Sequence, residues 1–235
     1  MAKTKIDSCK TTPIVFSVCE FIGSIFLVIA AVAPIILVKN ILSAPIYIAV
    51  VADALAVGFV LFALIEIFGP ICTAYFNPAV CLAMALNKDL AWSAALKHSI
   101  AQVLGGLTGI LFVHLMFYDF RQIFFEVSEV TRSSGTIFAE ALGTFILVLC
   151  ILSLVHQNSD RVSLVVGLLV GGMLLSTSST MFANPQVTIA RMFTYSDAGI
   201  RPFDGLIFII IQFIAAAIAF VVWKYSIKKC AQRCG

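Results

Sequence analysis

Charge is what this sequence has least of: Lys, Arg, Asp and Glu make up 11% of its 235 residues, against about 25% in a typical soluble domain. So little charge leaves no polar shell for a water-soluble surface. No Pro-, Gly- or Ser-rich linker and no low-complexity tract interrupts the chain, which argues against separate soluble units. The seven cysteines (Cys9, Cys19, Cys72, Cys81, Cys150, Cys230, Cys234) lack paired spacing. They read as small buried hydrophobes, without a disulfide framework or a metal site. His98, His114 and His156 also lack ligand spacing, and no Ser/His set sits at matching depth. No metal, cofactor or enzymatic chemistry is expected, and a net charge of +3 gives no reason to expect nucleic acid.

What is present is apolar: 61% of residues are hydrophobic and the mean hydropathy is +1.08. The solvent for such a chain is lipid. Apolar stretches near 13–38, 44–68, 93–118, 136–156, 162–182 and 203–225 each reach the roughly 20 residues a membrane-spanning helix needs. Six spans consume most of the chain and define one transmembrane domain over 1–235. The first follows Lys3, Lys5 and Lys10 like a signal peptide, but it is too long and five more follow it. With the N-terminus inside, ten cations (Lys3, Lys5, Lys10, Lys88, Lys97, Arg161, Lys224, Lys228, Lys229, Arg233) face the inner side. Five (Lys39, Arg121, Arg132, Arg191, Arg201) face the outer side. That asymmetry predicts a multi-pass cell-membrane protein with both termini in the cytoplasm.

The chain also repeats itself. Cys19–Val28 matches Ala139–Val148 through the shared pattern Glu-x-x-Gly, and Phe76–Ala83 matches Ala183–Ala190 through Asn-Pro. A weaker third pair sets Ile100, Ala101, Gln102, Gly105 and Gly106 against Ile211, Gln212, Ala215 and Ala216. Repeat one covers about 13–117 and repeat two about 136–225. Three crossings per repeat force the second copy to enter the membrane inverted, and folds of this kind place their site where the copies meet near the midplane.

Asn-Pro ahead of an apolar run is a helix start, because Asn caps the first turn and Pro at the first helical position needs no donor. Asn77 to Leu86 is ten residues, about 15 Å of helix, half of the roughly 30 Å hydrocarbon thickness. The second run goes from Asn184 towards Thr194 on the opposite side. Re-entrant backbone at that depth requires covering protein or a water-filled path, so the two segments predict a pore. At its middle the helix N-termini and the Asn77 and Asn184 amides offer donors and partial positive charge, which suit a hydroxyl or water oxygen and oppose cations.

With these motifs in order, the Gly69-Pro70-Ile71 approach and the Ala101-Gln102-x-x-Gly105 of the third span, the sequence resembles the aquaporin and aquaglyceroporin family over nearly its whole length. The resemblance implies an all-α membrane fold, six transmembrane helices plus two re-entrant half-helices in an inverted 3+3 repeat. It also implies a homotetramer in the lipid bilayer with one pore per subunit. The pore motifs would be Asn77, Pro78, Ala79 and Asn184, Pro185, Gln186. Glu20 and Glu140 would accept hydrogen bonds from the loops that carry the half-helices. Carried over by spacing, the outer filter falls on Val57, Gly172, Met181 and Val187, without the aromatic, His and Arg of water-specific members. Arg191, one turn beyond Val187, either restores a cation at the mouth or sits at the interface or beside Asp197. Gln186, where the family has Ala, either narrows the midpoint or caps the opposite motif. Asp53 is read as lying near a helix end and Glu66 as solvated.

The expected function is passive passage of water and small uncharged solutes such as glycerol, with undissociated metalloid hydroxides as further candidates and protons and ions excluded. The competing readings are a coupled transporter built on inverted repeats and a non-conducting scaffold. Uphill accumulation would mark the first, and a blocked pore the second.

Overall fold

Aliphatic runs with no polar stripe form helices that bury every face in protein or lipid, and in a computed structural model that describes residues 13–228 the architecture is helical throughout. Lys3, Lys5, Cys9, Lys10, Lys229, Cys230, Arg233 and Cys234 lie outside the described residues. Helix α1 (Pro13–Ile35) runs on through a π-helical turn (Ile36–Ile41), followed by α2 (Ile46–Phe68), the short α3 (Pro78–Leu86) and α4 (Trp92–Met116). The second half repeats the order: α5 (Ser134–His156), α6 (Val162–Ser176), the short α7 (Pro185–Arg191) and α8 (Pro202–Val222), which ends in a π-helical turn (Trp223–Ile227). Helix α1 packs chiefly on α4, and its counterpart α5 packs on α8; α2 and α6 join the halves.

Glycine sets the closest of these approaches. At the α2–α6 seam, a Cβ on Gly167 would lie 2.7 Å from the Gly58 carbonyl, and one on Gly171 would lie 3.1 Å from that of Ala54. Between α1 and α4, a Cβ on Gly105 would lie 2.3 Å from the Phe21 carbonyl. In lipid, where burial of apolar surface does not drive helices together, such backbone-to-backbone packing is what holds them.

Five of the described helices are long and apolar enough to cross a membrane. The sixth expected span, 162–182, is shorter: α6 stops at Ser176, about 22 Å of helix. Ser176 and Thr177 turn their hydroxyls back on the carbonyls of Gly172 and Met173, and Thr180 and Met181 take positive φ values, so the chain leaves the helix there. The second half-helix is also shorter than the sequence suggests, ending at Arg191 rather than near Thr194.

Candidate functional site

Each half-helix begins as its sequence dictates. Asn77 Oδ1 accepts the Ala79 amide at 2.9 Å, and Asn184 Oδ1 accepts the Gln186 amide at 3.2 Å. Pro78 and Pro185 occupy the first helical positions. The other end of each Asn side chain crosses to the opposite motif. Asn77 Nδ2 donates to the Ala183 carbonyl and Asn184 Nδ2 to the Phe76 carbonyl, both at 2.8 Å. Each amide therefore reaches the residue that precedes the other Asn, and its second hydrogen remains for the lumen.

The two approach loops share an unusual backbone. Ala74 and Phe76 have φ of 48° and 48°, and Met181 and Ala183 have φ of 35° and 46°. These are the third and first residues before each Asn. Left-handed conformations cost an L-residue about 1–2 kcal/mol each, so something must hold them. Glu20, fully buried, accepts from the Tyr75 amide at 2.9 Å, the Phe76 amide at 2.7 Å and Thr73 Oγ1 at 3.0 Å. Glu140, equally buried, accepts from the amides of Phe182 and Ala183.

Gln102 and Gln212 complete this pattern, and a reading confined to charged residues misses them. Gln102 Nε2 donates to Glu20 at 2.7 Å and approaches Cys81 Sγ at 3.4 Å. Gln212 Nε2 donates to Glu140 and to Thr188 Oγ1, both at 2.9 Å. Cys81 and Thr188 each stand four residues after their Asn. The signal was the third, weakest repeat pair, in which the two glutamines align.

Around this junction runs a cavity of about 110 Å³. The inner and outer sides are named here by the expected orientation. Ile65, Val155 and Val162 line the inner side, Asn77 and Asn184 the middle, and Val57, Met181, Val187 and Arg191 the outer side. Its wall is apolar, Phe76 and Phe182 included, apart from the Asn pair, two threonines, Tyr75 and Arg191. Met181 packs on Gly143 of α5, where a Cβ would come within 2.8 Å of Met181 Cγ.

One expectation is corrected, and the alternatives left open for Gln186 and Arg191 are narrowed. Gly172 does not line the cavity: it is exposed, faces a groove between α2 and α6, and would meet nothing within 4 Å if it had a Cβ. Val170 and Leu174 line the lumen in its place. Two residues turn an α-helix by about 200°, so a two-residue error in register exchanges its faces. Substituting Gly172→Val is accordingly expected to leave solute flux at the parent level, whereas Leu174→Trp reduces it; light scattering on proteoliposomes checks both.

Gln186 is fully buried and absent from the cavity wall. Its amide shares the Phe76 carbonyl with Asn184 at 3.4 Å, and its Oε1 rests against Gly106 of α4. The capping alternative describes it, and the narrowing one does not. Arg191 neither snorkels nor pairs with Asp197. It is 2% exposed and donates to Asp53 Oδ2 at 3.2 Å. Asp53 itself lies in the second turn of α2, buried. Glu66, though exposed, accepts a bond from Ser163.

Two guanidiniums stand over the Phe182 ring, with Cζ of Arg191 at 4.3 Å and Cζ of Arg132 at 5.1 Å from its centre. Burial, reinforced by the nearby Arg191, pulls Arg132 down to about 10. It remains a cation at neutral pH. Among the described residues no His, Cys, Asp or Glu cluster suits a metal ion.

The family model described as major intrinsic protein matches residues 8–183. Aquaglyceroporin AqpS of Rhizobium meliloti is 35% identical over 211 residues, spanning 90% of this chain and 89% of that protein. A glycerol uptake facilitator protein of Streptococcus pneumoniae is 28% identical over 177 residues, or 68% of this chain and 74% of its own. Among solved structures, the aquaglyceroporin from Plasmodium falciparum superposes with a TM-score of 0.73 at 19% identity, covering 92% of this chain and 97% of that one.

Proposed function

Because the chain belongs to the major intrinsic protein family, we infer that it is a passive membrane channel for water and small uncharged solutes such as glycerol. The observation that carries this reading is the reciprocal Asn77–Ala183 and Asn184–Phe76 bonding on the wall of a cavity lined from the inner to the outer side. A passing hydroxyl sheds water along the apolar wall and regains a donor from the two Asn amides. The same donors, set in a poorly polarisable surround, raise a barrier to a proton or metal cation.

The site residues in this reading are Asn77, Pro78, Ala79, Asn184, Pro185 and Gln186 as the framework of the junction. Val57, Met181 and Val187 form the outer wall with Leu174 where Gly172 was expected, and Glu20 and Glu140 fix the two loops. The chain forms one channel unit of two repeats, with both termini in the cytoplasm of a cell-membrane protein and four copies assembling with one pore each. Names of relatives that refer to glycerol favour a neutral polyol among the solutes. The test is uptake of labelled glycerol into proteoliposomes under imposed proton and sodium gradients. Equilibration at the external concentration, regardless of gradient, is expected; accumulation above it would establish coupled transport instead.

A further inference from the structure

Arg191 is the one charged side chain among the described residues that line the cavity. It is held from three elements. Its Nη2 donates to Asp53 Oδ2 of α2 at 3.2 Å and to the Ala31 carbonyl of α1, and its plane lies over Phe182 of the α6–α7 loop. Ala31 belongs to the turn that Pro34 disturbs, since a proline inside a helix removes a donor and bends the segment before it. The Arg191 and Asp53 side chains are each 3% exposed. Their hydrogen bonding is incomplete: Asp53 Oδ1 and Arg191 Nε have no partner. One guanidinium thus faces the lumen, and the carboxylate that balances it stays behind the wall, off the cavity.

We propose that the Asp53–Arg191 pair is the solute-selecting station of the outer pore, one helix turn beyond Val187, with Arg191 as the donor to a small neutral hydroxyl compound and Asp53 as its positioning and charge-cancelling partner. This rests on the channel reading above. The neighbouring wall, formed by Val57, Leu174 and Val187, offers a hydroxyl nothing in exchange for its water. A guanidinium hydrogen replaces that water, and hydrogen bonds to charged groups are stronger than neutral ones. A lone guanidinium at such depth would also draw anions in. Paired with a carboxylate, it keeps its directional donors, while its field shrinks from that of a charge to that of a short dipole. Arg132, the other cation near Phe182, is already engaged by the Gly199 carbonyl and does not line the cavity.

The test uses the full chain in proteoliposomes, with glycerol as the neutral probe and chloride, read by an entrapped halide-quenched dye, as the anionic one. Asp53→Asn, which leaves Arg191 uncompensated, is expected to raise chloride permeability at least roughly tenfold. The double variant Asp53→Asn with Arg191→Gln, which buries no unpaired charge, returns chloride to the parent level and lowers glycerol flux roughly tenfold, the scale of one charged-donor hydrogen bond. Thermal unfolding confirms that each variant is folded. If Asp53→Asn does not fold, the double variant alone decides. A folded double variant with parental glycerol flux would overturn the proposal and leave the pair as a tie between helices. A parent chain that passes no neutral solute would instead refute the channel reading.

Discussion

Replacing Glu20 by Ala is expected to destabilise the protein by roughly 3–5 kcal/mol and to abolish solute flux. The carboxylate accepts from the Tyr75 and Phe76 amides, Thr73 Oγ1 and Gln102 Nε2, and no other acceptor is supplied when it is gone. Each buried donor left without a partner costs about 1–3 kcal/mol. Ala74 and Phe76 would also lose what holds them at positive φ, so the Phe76 carbonyl would no longer point at Asn184. A loss of this size is a large fraction of the roughly 5–15 kcal/mol that holds a typical protein folded. Glu20→Gln is expected to fall between, because its amide faces two donors with a donor of its own. Glu140→Ala should act in the same direction through Phe182, Ala183 and Gln212. Unfolding temperature in detergent and flux per folded protein measure both effects.

Val187→Arg carries the second large effect, and it falls on selectivity. Val187 is 6% exposed on the lumen wall, with Arg191 one turn outward on the same face of α7. A guanidinium placed there finds Asp53 already engaged by Arg191. It fills the passage and adds a cation without a counter-charge. Glycerol flux is expected to fall at least about tenfold, since an added barrier of about 1.4 kcal/mol suffices and overpacking one side chain costs about 1–3 kcal/mol. Water, being smaller, should lose less. The ratio of glycerol to water permeability in stopped-flow light scattering measures this, and an unchanged ratio would show that Val187 does not border the solute path.

Both results trace to features of different visibility in the sequence. The fold was legible because inverted duplication is written in it: Glu20 with Glu140, Asn77 with Asn184, and six apolar runs in a 3+3 order. The half-helices were legible because Asn-Pro has a local reason to start a helix, and their reciprocal bonds occur where the two starts meet. The outer wall was less so. Gly172 was placed by counting back from Asn184 along a helix assumed continuous, but the chain leaves that helix after Ser176. Three left-handed residues in the following loop make the count meaningless as a register. The Asp53–Arg191 contact joins positions 138 apart. Neither residue has a counterpart in the other repeat, so duplication gave no hint of it. Gln186 kept two alternatives open for a simpler reason: its position in the motif is lumenal only if its side chain turns inward, and the space beside Gly106 takes it the other way, to the opposite motif.

The central claim is that two opposed half-helices bound a path open to neutral molecules and closed to protons. Glycerol-driven light scattering and the fluorescence of an entrapped pH dye, recorded on the same proteoliposomes, test it most directly. Glycerol equilibration well above that of empty vesicles, with a proton leak no greater than theirs, is the result expected. Proton entry that rises together with glycerol flux, or no glycerol flux from a folded protein, would contradict it.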